Sequence, residues 1–262
     1  MWRSRLEKMF EELRGNRAAL IAYATGFYPD RQGCIDAITA MLENGADAIE
    51  IGVPFSDPVM DGPVIQEASA RGLGQGATPT AVMDIVSEVR RRTDRPLLLM
   101  TYYNPVFHFG QVEFIRRAAA SGVDGIVIPD LPVEEMGAFK AACDDAGVST
   151  VPFCSMTTSA SRIREASSLA TGFLYCISRL GTTGARDGLS PELPEFLDRV
   201  RANASCPVAA GVGVSTPEQC ARVGEIADGV IVGSAIVSEV RDAGGDLSRL
   251  SSLVRSMSDS LR

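Results

Sequence analysis

Residues 45–52 read GADAIEIG, and two later stretches echo them: GVDGIVIP at 122–129 and IADGVIVG at 226–233. Each sets an aspartate (Asp47, Asp124 or Asp228) before four mostly apolar residues and then a glycine or proline. A short apolar run closed by a turn former is consistent with a strand of a buried parallel sheet. Outward from these three, similar runs begin at Ala19 (ALIAYA), Pro96 (PLLLMTY), Val148 (VSTVPF), Gly172 (GFLYCI) and Pro207 (PVAAGVG). Segments of helical length separate them, among them CIDAITAMLENG from Cys34 and AVMDIVSEVRRR from Ala81. Strands alternating with helices predict βαβ units and a parallel sheet. Eight such units within 262 residues, with no Pro/Gly/Ser-rich linker, predict one domain over residues 1–262. The expected fold is α/β, a single (β/α)8 (TIM) barrel, which typically takes ~250 residues. The leading MWRSRLEKMFEELR places Trp2, Leu6, Met9, Phe10 and Leu13 at helical spacing, so an extra N-terminal helix within residues 1–16 is expected to pack on the barrel.

Composition removes several function classes. Lys plus Arg number 25 against 33 Asp plus Glu, a formal charge of −8, which argues against a nucleic-acid groove and an anionic membrane surface. No apolar run approaches the ~20 residues that cross a bilayer, and the charged N-terminus lacks the apolar stretch of a signal peptide. A cytoplasmic protein is expected. The six cysteines (Cys34, Cys143, Cys154, Cys176, Cys206, Cys220) are scattered, which predicts reduced core thiols rather than a zinc or redox motif.

The echoed strands are the second, fourth and eighth, all of one parity, and alternate strands of such a barrel feed the same interior layers. Three residues after each aspartate stand Glu50, Val127 and Ile231. Glu50 is therefore a carboxylate where its counterparts are apolar, near the strand end where barrel active sites form. It is either a reactive group in a costly place or the mark of a strand shifted by one residue. The following loop, GVPFSDPVMDGPVIQ, adds Asp57 and Asp61, which could react or could simply favour turns. The one histidine, His108, lies between Phe107 and Phe109, as expected of a packed loop. With a single histidine and no cysteine cluster, no metal site is expected. Of the two lysines, Lys8 and Lys140, neither falls on a strand end, which argues against a Schiff-base aldolase. Acid–base chemistry by carboxylates remains.

Three glycine-rich turns close the second half of the chain: ISRLGTTGARDG, AAGVGVS and IVGSAIV. Phosphate sites in these barrels are frequently built from the last loops and the N-terminus of a short extra helix. Gly184, Gly213, Gly233 and Ser234 are the expected phosphate-binding residues.

EIGVPFSDPVMDGPVIQ, SRLGTTG, GVGVS and GSAIV, together with TGFYPD, TYYNPV and PDLPVEE, resemble the tryptophan synthase alpha family from about Arg17 to Val240. The resemblance implies a lyase of tryptophan biosynthesis that cleaves indole-3-glycerol phosphate to indole and glyceraldehyde 3-phosphate. It implies catalytic roles for Glu50 and Asp61, and places Tyr175 beside Glu50 and Thr183 over Asp61. Ile65, Tyr102 and Val212 would line the indole pocket. Asp57 and the PDLP segment, with Asp130 and Pro132, would face a beta subunit in an alpha2beta2 heterotetramer. No cofactor is implied for this chain, since pyridoxal phosphate would belong to the beta subunit. The sequence departs from the family's habit at Phe27, where a small residue is usual, at Ser155-Met156-Thr157, and at Val212, where an aromatic is common. The alternatives are a stand-alone lyase that needs no beta subunit and a non-catalytic activating subunit.

Overall fold

The computed structural model describes residues 4–177 and 188–262. Its strands are β1 (Ala19–Thr25), β2 (Ala48–Gly52), β3 (Leu97–Met100), β4 (Gly125–Val127), β5 (Ser149–Val151), β6 (Phe153–Ser155), β7 (Leu174–Ile177), β8 (Val208–Gly211) and β9 (Gly229–Val232). All pair in parallel, in the order β5-β4-β3-β2-β1-β9-β8-β7-β6. Each run expected from the sequence forms a strand, but the fifth is divided. Pro152 has no N–H for a ladder, so the run breaks there into β5, which pairs with β4, and β6, which pairs with β7. The Pro152 carbonyl still accepts from the Tyr175 N–H at 2.9 Å. The two halves thus join the two ends of the sheet through one residue, and the barrel closes.

Period-2 alternation sorts the strand residues between two cores. Ile21, Ala48, Leu98, Val127, Val151, Tyr175, Ala209 and Ile231 fill the interior, while Leu20, Ile49, Ile51, Leu99, Val230 and Val232 pack outward in a separate cluster with the helices. Leu6, Met9 and Phe10 of the helix Arg5–Leu13 belong to the interior cluster, so this helix plugs the barrel floor. It begins at Arg5 because Ser4 and Glu7 form a reciprocal capping box, with bonds of 3.1 and 3.0 Å. Trp2, expected on the same face, lies outside the described residues.

The sequence echo has a mechanical basis. At the start of β2, β4 and β9 the aspartate makes two contacts with the preceding strand in the sheet. Its N–H donates to a carbonyl (Leu20, Leu97, Val208; 2.8 Å each). Its Oδ2 accepts the N–H of that same residue, again at 2.8 Å. Asp47, Asp124 and Asp228 therefore staple strand starts at the barrel floor.

His108 corrects one expectation. It lies on the helix Tyr103–Phe109 rather than in a packed loop, and both it and Phe107 are exposed. Among the described residues, no helix is long and apolar enough to cross a membrane.

Candidate active site

The strand ends opposite the N-terminal helix carry the candidate residues Glu50 and, on the loop after β2, Asp61. Glu50 pairs in register with Tyr23 on β1 and Leu98 on β3. Its neighbours Ile49 and Ile51 face the helices, so Glu50 points inward. The one-residue shift that would have turned it outward does not occur. Glu50 is 1% exposed, and its Oε1 has no hydrogen-bond partner. Its Oε2 accepts from the Tyr175 hydroxyl at 3.5 Å. Burial pushes the Glu50 carboxyl up to about 8; the charge of Asp61 adds to this, and the Tyr175 hydrogen bond opposes it.

Asp61 closes the β2 loop just before the helix Pro63–Gly74, where Gly62 and Pro63 set the helix entry. The loop is pinned locally: the Asp61 N–H donates to the Pro58 carbonyl at 3.0 Å, and the Gln66 amide donates to the Asp61 carbonyl at 2.9 Å. The Met60 N–H donates to the Tyr102 hydroxyl at 3.0 Å. Asp61 is 7% exposed. Burial raises its carboxyl to about 6, against a hydrogen bond with Tyr102. The structure thus brings together two carboxylates and Tyr102 and Tyr175, all named from the sequence.

Tyr23 is the residue that sequence reasoning missed. It is buried, its hydroxyl accepts from Thr25 Oγ1 at 3.4 Å, and burial followed by the charge of Asp61 drives its acidity down. Tyr23 and Tyr175 share a device. A Cβ on Gly52 would lie 2.1 Å from the Tyr23 hydroxyl, and one on Gly211 would lie 2.6 Å from Tyr175 Cε1. Each ring occupies the space that a side chain on the adjacent strand would take. Phe153 stacks on Tyr175 at 4.5 Å and fixes it from the other side. A tyrosine on the interior face of β1, two residues beyond Ile21, was the available signal.

Of the expected phosphate residues, Gly213, Gly233 and Ser234 follow the ends of β8 and β9 at the same mouth. Gly213 has φ +80°, a conformation that favours glycine, and a Cβ there would meet nothing within 4 Å, so its backbone faces open space. Gly233 caps the helix Ser234–Asp242 without a side-chain hydrogen bond. No side chain caps the first turn of that helix, and uncapped helix N-terminal amides favour an anion. Ile65 borders this end, with its Cδ1 3.6 Å from a Cβ on Gly233. Val212 is half-buried at the edge of the outer core. Thr183 and Gly184 lie outside the described residues.

Asp57, Asp130 and Pro132 are exposed on the rim. Ser56 Oγ donates to Asp57 at 2.5 Å, and Asp130 accepts the Tyr103 N–H at 2.8 Å. Phe27, where the family usually has a small residue, adopts φ 62° while buried. That is a left-handed backbone, which a bulky side chain rarely adopts.

The model of the family "Tryptophan synthase alpha chain" matches residues 9–261. A relative of that name from Geobacter sulfurreducens is 43% identical over 235 residues, covering 89% of each chain. Another, from Carboxydothermus hydrogenoformans, is 41% identical over 240 residues, covering 91% of this chain and 90% of its own. A solved structure of Mycobacterium tuberculosis tryptophan synthase superposes with a TM-score of 0.92 at 36% identity, over 100% of this chain and 99% of that one. The alpha subunit from Legionella pneumophila gives 0.91 at 33% identity, over 99% of both chains. The chain belongs to the tryptophan synthase alpha family, the lyases that cleave indole-3-glycerol phosphate in tryptophan biosynthesis.

Proposed function

We propose that Glu50 moves the protons, and Asp61 holds the indole N–H, in the cleavage of indole-3-glycerol phosphate to indole and glyceraldehyde 3-phosphate. The observation that carries this reading is a fully buried carboxyl with one unpartnered oxygen, lifted to about 8. Near neutral pH such a group is largely protonated and can act first as an acid. Glu50 delivers its proton to indole C3, which leaves positive charge on the ring nitrogen. Asp61, lifted only to about 6, is ionised at that pH and accepts the N–H as the charge develops. Glu50, now a carboxylate, takes the C3′ hydroxyl proton. The C3–C3′ pair returns to the ring, the C3′ oxygen forms the aldehyde carbonyl, and Glu50 ends protonated as it began. Two carboxylates with separated proton affinities divide the acid and electrostatic roles.

Ile65, Tyr102, Tyr175 and Val212 line the indole side, and the family resemblance adds Thr183, which lies outside the described residues. The phosphate is held by backbone amides at Gly213, Gly233 and Ser234, and the sequence adds Gly184, which lies outside the described residues. No metal or organic cofactor takes part, because carboxylate proton transfer suffices for each step. Glu50→Gln should lower turnover by roughly 10³-fold, within the usual range of acid–base contributions, while substrate still binds. Rapid turnover by a folded Glu50→Gln protein would remove Glu50 from the mechanism.

The partner is a beta subunit docked on the rim that carries Asp57, Asp130 and Pro132. Val59, 68% exposed, and Phe107, 69% exposed, offer apolar surface on segments of the same mouth. Large apolar side chains exposed at a rim suit a protein interface. A partner that favours the closed arrangement of the Asp57–Asp61 loop would accelerate cleavage by its difference in affinity for the two states. Asp57→Ala should cost most of that acceleration and leave the unaided rate nearly unchanged. Equal rates with and without an added beta subunit would favour a stand-alone lyase.

A further inference from the structure

At the barrel floor, opposite the catalytic mouth, the three strand-stapling aspartates are neutralised differently. Asp47 is held by Arg17 through bonds of 2.7 and 2.8 Å. Asp124 is held by Arg5 at 3.0 Å and Arg90 at 2.5 Å. Among the described residues, no arginine or lysine forms an ion pair with Asp228, whose carboxylate accepts the Val208 N–H through Oδ2. A cleft of about 420 Å³ opens beside Asp228 instead. This volume lies within the usual range for a small-molecule site.

The cleft lies between the end of the N-terminal helix, the turn before β8 and the turn before β9. Its apolar wall includes Phe10, Leu13, Ala204 and Pro207. Two arginines, Arg14 and Arg201, line it without an ion pair to any described acid, although Glu225 also borders it. Arg17 lines it as well but is committed to Asp47. The cleft therefore combines an aspartate without a cation, two arginines without an anion, and apolar surface, in a protein whose net charge is −8.

We propose that this floor cleft binds an α-amino acid with an apolar side chain, as its zwitterion. The ammonium group would take the place at Asp228 that arginines fill at Asp47 and Asp124. The carboxylate would meet Arg14 and Arg201, whose guanidinium groups suit bidentate pairing with a carboxylate. The side chain would lie on Phe10, Leu13 and Pro207. Neither catalytic carboxylate nor any expected phosphate residue lines this cleft, so its occupancy is separate from that of the mouth.

The test is titration calorimetry of the full chain with L-phenylalanine, L-phenylalaninamide and 3-phenylpropionate. L-Phenylalanine should bind saturably at one site, at least tenfold more tightly than either analogue, and saturating glyceraldehyde 3-phosphate should not displace it. Asp228→Asn should weaken L-phenylalanine about tenfold and leave 3-phenylpropionate unchanged. Arg14→Gln with Arg201→Gln should weaken both acids and leave the amide unchanged. No saturable binding, equal binding of all three compounds, displacement by glyceraldehyde 3-phosphate, or variants that bind like the parent would each overturn the proposal.

Discussion

Strand β2 begins at one end of the barrel with Asp47 beside it and reaches Glu50 three residues later, so one strand presents two carboxylates in opposite circumstances. At the floor, Asp47 meets a guanidinium and a backbone N–H, both within 2.8 Å. Toward the mouth, Glu50 has one long hydrogen bond and an orphaned oxygen. Asp47 is satisfied and ties two strands together; Glu50 keeps an unsatisfied oxygen, the one on which the proposed proton transfer rests. Residue type does not separate the two roles. The presence or absence of a cation and of backbone donors does, because burial without them disfavours the charged form.

Beyond Glu50→Gln, the largest effect that can break this contrast is expected at Asp61. Asp61→Asn keeps the shape but removes the charge that offsets the ring cation, so kcat/KM should fall by about 10²- to 10³-fold. Wild-type activity should decline below about pH 6 as Asp61 protonates, and above about pH 8 as Glu50 loses its proton. The acidic limb should vanish in Asp61→Asn. If that limb persists unchanged, another group carries it and Asp61 is not the ionised partner.

Stability should show the converse of catalysis. Glu50 has a folded-state value raised from 4.5 to about 8, so the native state holds a proton that the unfolded chain has released. Stability attributable to Glu50 is therefore greatest below about 4.5 and falls as pH rises toward about 8. Glu50→Gln removes this loss. It should match the parent near pH 4 and exceed it at pH 9 by a few kcal/mol, since each tenfold change in proton affinity is worth ~1.4 kcal/mol. Urea denaturation of both proteins across that range reads the difference directly; parallel curves would mean that the Glu50 carboxyl is not strained by burial.

Much of this contrast is legible in the amino-acid sequence. The echo GADAIEIG, GVDGIVIP, IADGVIVG makes Glu50 conspicuous against Val127 and Ile231, because a period-2 strand fixes which residues share a face. The glycine-rich turns at Gly213 and Gly233 are equally readable, since positive φ and an open helix start leave a local signature. What stays hidden depends on partners distant in the chain. Tyr23 acquires its place only when β1 and β2 align and Gly52 leaves room for its ring. The division of the fifth strand at Pro152 follows from the proline, but nothing local tells that its two halves bond opposite edges. The different cation supply at Asp47, Asp124 and Asp228 is invisible in the sequence, because Arg5, Arg17 and Arg90 reach them across the fold.

That difference in cation supply gives the smallest effects and the sharpest test of the floor. Three aspartates make the same pair of backbone contacts, so replacing each by Asn preserves an acceptor for the neighbouring N–H and changes only the charge. Asp124 is 3% exposed at its side chain and shares two arginines, one of them 14% exposed. Removing one member of a buried pair leaves the other charge unpaired, which costs about 3 kcal/mol or somewhat more. Asp47 and Arg17, at 12% and 19% exposure, form one more accessible pair, and Asp47→Asn should cost about 1–2 kcal/mol, between the buried and exposed limits. Asp228 has no guanidinium to strand among the described residues, so Asp228→Asn should cost less than about 1 kcal/mol, the scale of a single neutral hydrogen bond. Urea midpoints at constant m-value would rank the three, and catalysis by the folded fraction should be unaffected throughout. Equal losses at all three positions would assign the stability of the floor to the backbone staples alone and leave the arginines without a share in it.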